Sequence, residues 1–482
     1  MGKKSIAKNY AFNLAYQILA IIIPLITTPY LSRVLGPENI GIYSYTLSIT
    51  TYFILFGSLG VSLYGQREIA FFQGDIKKRS KSFYEILIMK CITIFISLFI
   101  FYMVFCLKGE YYIYYKILIL EIIANMIDIS WYFQGLEEFK KTVTRNIIVK
   151  LISVVCIFLF IKDKSDLNLY FLIYVLSTFF GNFSLWLYLP KYVIKIKFKE
   201  LNIKKHIKPT IMLFIPQIAT QIYTVLDKTM IGTIIADKSE VGFYEQAQKI
   251  VKMLMTLATS LGTVMMPRIA ATYAKGEMEK VRKYMNKSFA FIMMLAFPLM
   301  FGIISVSYHF VPVFYGAGYD KVTILLCVIS PIIVLIGLSN VTGTQYLLPT
   351  KQQSKYTISV IVGAIVNFFF NLVLIKFLAS IGASIATVIA EFTVTLTQFI
   401  LIRKEIKILE VIKITYKYVI ASIIMFICSL IVGYLISNNI LSIFVQVGIS
   451  VIAYFVMLII LKDKMVFEWM EILKKQIGKK KN

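Results

Sequence analysis

Charged and amide side chains inside apolar stretches are the residues here that could do chemistry. Glu245, Lys249 and Lys252 recur at i, i+4, i+7 and so share one face of a helix. Lys228 stands beside Asp227 in the preceding apolar stretch. Charges in such segments are costly and need a reason. A one-sided cationic stripe suits a phosphate or an acidic group. The structural alternative is an i,i+4 Glu245–Lys249 pair, with Lys252 packed against another acid. A second set, Asn367, Asn371 and Glu391 with Asp227, offers hard oxygen ligands or a titratable carboxyl. That chemistry fits sodium or a proton, because protonation removes a charge that a bilayer penalises. Paired asparagines also simply tie helices together. In the N-terminal half, Glu121, Asn125 and Asp128 share a face at the same spacing, and Lys90 and Lys150 lie at depths comparable to Asp128. These make either a pair within one bundle or a polar wall. Lys116, near a helix end, is expected to snorkel.

The elements that must hold these groups are membrane helices. The chain of 482 residues is 59% hydrophobic and 16% charged, with a mean hydropathy of +0.78. Apolar windows place about fourteen spans of roughly 20 residues each. A net charge of +26 would suggest nucleic acid in a soluble protein. Here the lysines and arginines alternate by connection, dense on one side and sparse on the other. The positive-inside rule therefore puts both termini in the cytoplasm, with no nucleic-acid partner expected. The run from Tyr10 to Leu35 is too long for a signal peptide and reads as a retained first helix. The five cysteines lie in apolar runs, and the two histidines are far apart, so neither a disulfide framework nor a metal site is expected.

An internal repeat divides the chain. Gly41, Tyr43, Gly60 and Arg67 fall on Gly242, Tyr244, Gly262 and Arg268, and Leu59 on Leu261, at an offset of about two hundred residues. The repeat sets Ser48 and Thr51 opposite Lys249 and Lys252, so the stripe is one-sided. Six spans precede and six follow a basic stretch at 191–208, an even number that gives both bundles one orientation. The expected organisation is an N-terminal six-helix lobe (1–190), a basic cytoplasmic hinge (191–208), a C-terminal six-helix lobe (209–403), and two further helices with a basic tail (404–482). Pro24 and Pro29 should bend the first span. An all-α polytopic transporter of two parallel bundles follows.

Several stretches resemble the polysaccharide repeat-unit flippases of the multidrug/oligosaccharidyl-lipid/polysaccharide superfamily, which export O-antigen, capsule and teichoic-acid units. They are PLITTPYLSRVLGPENIGIYSY (Pro24 to Tyr45), DISWYFQGLEEFKK (Asp128 to Lys141), LDKTMIG (Leu226 to Gly232) and MMPRIA (Met265 to Ala270). TQYLLPTKQQSKYTISVIVGAIVNFFFN (Thr344 to Asn371) and IGASIATVIAEF (Ile381 to Phe392) complete them. The resemblance implies a V-shaped, MATE-like pair of lobes in the bacterial cytoplasmic membrane. They would pass an undecaprenyl-diphosphate-linked oligosaccharide from the inner to the outer leaflet by alternating access, among membrane lipids and polysaccharide assembly proteins. It further implies that Lys228, Lys249 and Lys252 line a cationic cavity, with Arg33, Arg67 and Arg268 capping its helices. In related flippases a sodium site lies between the helices corresponding to those of Asp227, Asn367, Asn371 and Glu391.

No nucleotide-binding, zinc or triad pattern stands in the chain, so no catalytic residue and no cofactor beyond a coupling ion is expected. Two other functions compete. A multidrug or cation antiporter of the same fold fits poorly with cationic walls. A membrane polymerase or ligase fits poorly with external loops this short.

Overall fold

The computed structural model describes residues 6–259, 262–406, 408–468 and 470–471, which are helical with short connections and no strand. Leu261, Lys407 and the basic tail beyond 471 lie outside that description. In a lipid solvent each backbone amide must be satisfied within its own segment, which long apolar runs achieve only as helices.

The first unit begins with α1 (Ile6–Ser58), α2 (Val61–Phe71), α3 (Ile76–Phe101) and α4 (Tyr112–Met126). It continues with α5 (Ser130–Gly135), α6 (Phe139–Phe160), α7 (Leu167–Ser184) and α8 (Lys204–Ile234). Next come α9 (Ser239–Thr259), α10 (Gly262–Ala274), α11 (Met278–Tyr315) and α12 (Asp320–Ile329). The chain closes with α13 (Ile332–Ser339), α14 (Gln353–Leu401), α15 (Ile408–Leu435) and α16 (Asn439–Ile460). The chain packs as two compact units: one runs to Gly232 and includes Ala236–Gly242, the other holds Thr233–Ile235 and everything from Phe243. Helix α8 therefore packs with the first unit as far as Gly232.

Nine segments of the described chain are long and apolar enough to cross a membrane. Two of them hold two expected spans each, across a break: α1 at Gly36 (φ 77°) and α14 at Ala379 (φ 48°). The three remaining expected spans fall on α4–α5, α8 and α9–α10, so all the expected spans have a helical counterpart. The non-helical residue of α1 is Gly36, and Pro24 and Pro29 lie within continuous helix. A left-handed conformation needs no Cβ relief at glycine, which is why the turn falls there and not at the prolines.

Small residues let helices approach in both units. In the first, Thr93 donates to the Gly57 carbonyl at 2.6 Å and Ser97 to the Phe53 carbonyl at 2.7 Å, joining α3 to α1. A Cβ on Gly65 would stand 2.4 Å from the Trp131 ring, so α2 and α5 touch through that glycine. In the second unit, Ser429 donates to Ser305 at 2.9 Å and Tyr454 to the Met294 carbonyl at 2.7 Å, fastening α15 and α16 onto α11.

The basic stretch at 191–208 is clamped onto the first unit. Tyr132 and Arg79 both donate to the Tyr192 carbonyl, at 2.9 and 3.0 Å. The fully buried Glu85 accepts from the Asn202 amide at 2.6 Å, from Lys205 at 2.7 Å and from His206 Nε2 at 2.8 Å. Because Nε2 donates to a carboxylate, Nδ1 of the neutral ring accepts from the Tyr64 hydroxyl at 2.6 Å. One buried carboxylate thus orders the C-terminal end of the basic hinge segment.

Candidate functional site

Helix α9, which belongs to the second unit from Phe243 onward, is amphipathic. Val241, Tyr244, Ala247, Gln248 and Val251 are buried. The Tyr244 hydroxyl meets Thr387 Oγ1 on α14 at 2.9 Å and accepts from Gln248 Nε2 at 2.8 Å. With that face committed to α14, the helical period turns Glu245, Lys249 and Lys252 the other way. Lys249 Nζ lies 3.6 Å from Glu245 Oε1, the expected i,i+4 pair, and Lys252 is exposed. Two ammonium groups against one carboxylate leave this face net positive. Lys249 stands about 15 Å along α9 from Ser239, which is mid-bilayer depth.

The same helix borders an apolar cavity. Leu254 and Leu257, on the side of α9 turned away from Lys252, join Met294, Phe310, Met425 and Tyr454 around a space of about 560 Å³ between α9, α11, α15 and α16. A cationic face and an apolar cavity thus share one helix, an arrangement that sequence periodicity did not anticipate because the far wall comes from the last two helices.

The other expected cations divide between the units. Arg67 on α2 is exposed, with its guanidinium 5.7 Å from the Tyr64 ring centroid. Arg33 is exposed just before the Gly36 break. The intervening half-helix of α1 separates Arg33 from Arg67 by about 30 Å, so these two do not form one site. Lys228 is half-buried on α8 beside the buried Asp227. Its neighbour Thr229 meets Ser48 at 2.8 Å and Tyr52 at 3.3 Å. Ser48, the repeat partner of Lys249, thus takes part in a hydroxyl cluster in the first unit, where the second unit carries a cation. Arg268 is exposed on α10 of the second unit.

Of the oxygen-bearing set, Asn367 and Asn371 are fully buried on the first half of α14, with Asn371 Nδ2 donating to Asn367 Oδ1 at 3.1 Å. Glu391 is buried on the second half. A Cβ on Gly363 would meet Val394 at 2.2 Å and the Ala390 carbonyl at 3.4 Å, so the two halves lie antiparallel in contact. That register sets Glu391 about one turn from Asn367 along the hairpin. Asp227 belongs to the first unit and these three to the second.

The polar interior of the first unit resolves as a row of contacts. Lys90 is buried and donates to the Asp128 backbone carbonyl at 2.9 Å, while the Asp128 carboxylate accepts from the Ser130 amide at 2.9 Å. Lys116 is exposed over the Tyr112 ring, 4.9 Å from its centroid. Lys238, just before α9, is buried, with its ammonium 5.3 Å from the Tyr45 ring centroid. The Glu85–His206 contact escaped sequence reasoning, and the signal that could have found it is a lone carboxylate at the start of an apolar span.

Comparison with known proteins bears on these observations. A family model described as polysaccharide biosynthesis protein matches residues 6–273, and one described as lipid II flippase MurJ matches 146–456. A putative O-antigen transporter of Escherichia coli (strain K12) is 25% identical over 409 residues, covering 84% of this chain and 98% of that protein. Among solved structures, the lipid II flippase MurJ in an inward closed conformation aligns with a TM-score of 0.74 at 16% identity, over 95% of this chain and 100% of that one. An inward-facing multidrug resistance MATE family transporter of the MOP superfamily aligns with a TM-score of 0.60 at 14% identity, over 80% of this chain and 94% of its own. At these identities the structural likeness shows the fold alone.

Proposed function

Because the chain belongs to the polysaccharide biosynthesis protein family of MOP-superfamily flippases, and is a multi-pass membrane transporter and not an enzyme, we propose that it flips a lipid-linked oligosaccharide. The substrate of this reading is an undecaprenyl-diphosphate-linked repeat unit, carried from the inner to the outer leaflet of the bacterial cytoplasmic membrane by alternating access. One observation carries the reading: α9 presents the half-buried Lys249 and the exposed Lys252 on one face and borders, on another, an apolar cavity of about 560 Å³. An anionic diphosphate with a long apolar tail has a head group that suits the first and a chain that suits the second. The ammonium groups attract phosphate or acidic sugar, while the tail gains from leaving water.

In this reading Lys249 and Lys252 make the main contacts with the diphosphate. Lys228, Arg33, Arg67 and Arg268 are supporting cations at other depths. Both termini and the 191–208 segment face the cytoplasm, as the positive-inside asymmetry supports. Membrane lipids surround the chain, and polysaccharide assembly proteins receive its product. Transport draws on a sodium or proton gradient through Asp227, Asn367, Asn371 and Glu391, whose burial and oxygen chemistry suit either ion.

The likeness to a MATE multidrug transporter favours a second reading, a cation antiporter, on fold alone. The net positive face of α9 disfavours it, since cationic drugs seek anionic or aromatic walls. Deletion of the protein separates the two readings. The flippase reading expects lipid-linked oligosaccharide to accumulate on the cytoplasmic leaflet, and unchanged lipid-linked pools with altered drug sensitivity would support the antiporter.

A further inference from the structure

The first unit holds a buried carboxyl that none of the sites above uses. Glu121 lies on α4, nine residues from Tyr112 and so about 14 Å along the helix, close to mid-bilayer depth. It is 8% exposed, and its Oε2 has no hydrogen-bond partner among the described residues. The polar groups around it are the hydroxyls of Thr178 and Tyr174 on α7, and Tyr174 in turn meets Tyr43 on α1. The Thr178 hydroxyl donates its single proton to the Tyr174 carbonyl at 3.1 Å. The Tyr174 hydroxyl can donate to the carboxyl in either protonation state, but neither hydroxyl carries a charge that would offset an ionised one.

The other titratable groups on the packed helices are engaged elsewhere or neutral. Lys90 of α3 is turned to Asp128, Lys116 of α4 sits over the Tyr112 ring, and Tyr170 of α7 stacks with Tyr43. Cys106, in the turn that follows α3, is a buried thiol. An ionised carboxylate at this burial with no counter-ion is expensive, whereas a neutral acid is tolerated.

A polar row leads away from Glu121 along the same α4 face. Asn125 Oδ1 accepts from Ser58 at 2.8 Å, and Asp128 accepts from the Ser130 amide at 2.9 Å. Arg145, near the start of α6, donates to Ser130 Oγ at 3.3 Å and to Asn182 Oδ1 at 2.9 Å. Asn182 closes the row on the Ala124 carbonyl at 2.8 Å. The row runs from the last turn of α4 past its end to Ser130 at the start of α5.

We propose that Glu121 is a proton-binding site of the first unit, loaded and emptied along the Asn125–Asp128 row. The step is the addition of one proton from water to a carboxylate oxygen, with no other bond made or broken. It is a site separate from Asp227, Asn367, Asn371 and Glu391. Its binding of a proton stands by itself; only its use in transport rests on the flippase reading.

Infrared difference spectroscopy of the full chain in lipid nanodiscs, taken across a pH series, tests this. The wild type should show a protonated-carboxyl C=O band at neutral pH that fades on alkalinisation. Glu121→Gln should lose that component while keeping the wild-type circular dichroism. Tyr174→Phe keeps the carboxyl but removes its hydroxyl neighbour, and should shift the midpoint of the fading. Identical bands in wild type and Glu121→Gln at every pH would overturn the proposal. Loss of the band on adding sodium at fixed pH would also overturn it, in favour of a cation site. A band lost in Glu121→Gln, in a protein that moves no lipid-linked oligosaccharide, would support the proton site and count against the flippase reading alone.

Discussion

Gly41 and Gly242, which the internal repeat pairs, lie backbone against backbone. A Cβ on Gly41 would stand 1.7 Å from the Lys238 carbonyl oxygen, and a Cβ on Gly242 would stand 2.1 Å from the Pro37 carbonyl oxygen. Pro37 and Lys238 share the repeat offset of the two glycines, so the contact within the first unit is reciprocal. It joins the start of the second half of α1 to the start of α9.

Neither glycine should accept a methyl group. Both obstacles are backbone atoms, which cannot swing aside as side-chain ends do. Gly41→Ala and Gly242→Ala should each cost about 1–3 kcal/mol. Thermal unfolding of the purified protein in detergent checks this, and a melting temperature equal to the wild type in both variants would refute the close contact.

The Glu85–His206 clamp should make stability depend on pH. Burial pushes the His206 imidazole below its ordinary value, against the opposing pull of the Glu85 hydrogen bond. The unfolded chain then binds more protons than the folded one at mildly acid pH, so stability rises with pH there. It should fall as pH drops below about 6.5, the ordinary imidazole value, until the lower folded value is passed. His206→Gln should flatten this part of the melting-temperature profile. If the variant keeps the wild-type slope, His206 is not its source.

Topology is checked by cysteine labelling from outside the cell. Ser437→Cys, exposed between α15 and α16, should react, and Lys199→Cys, exposed in the clamped segment, should not. The reverse pattern would invert the proposed orientation. Lys238 is a poor probe position, because its side chain is buried.

Coupling is tested by gradients imposed on vesicles. Asn367 and Asn371 bond to each other along one helix, and Glu391 is the buried carboxyl of the facing half. The expected result is export that follows the proton gradient at fixed sodium and falls at least tenfold in Glu391→Gln. Export that follows sodium at fixed pH, weakened by Asn367→Ala, would assign the pair to sodium instead.

The sequence made the helices legible because most spans are long, mainly apolar runs, and the repeat is legible because Gly41 and Gly242 permit no other residue. The Glu245–Lys249 pair follows from helical spacing alone. What spacing could not show is partnership across the chain. Glu85 and His206 are 121 residues apart, and Tyr244 and Thr387 143 apart. The break at Ala379 carries no glycine or proline of its own to announce it, so its position emerges only from packing.

The central claim is that the α9 lysines handle the phosphate of a lipid-linked oligosaccharide. The most direct measurement reconstitutes the purified chain in proteoliposomes with undecaprenyl-diphosphate oligosaccharide and follows its arrival in the opposite leaflet with an impermeant sugar-specific probe. The account predicts transfer by the wild type and a loss of at least tenfold in Lys249→Ala/Lys252→Ala at unchanged protein level. Arginine at both positions should retain part of the activity, since charge persists in a different geometry. Wild-type transfer rates in the double alanine variant would contradict it.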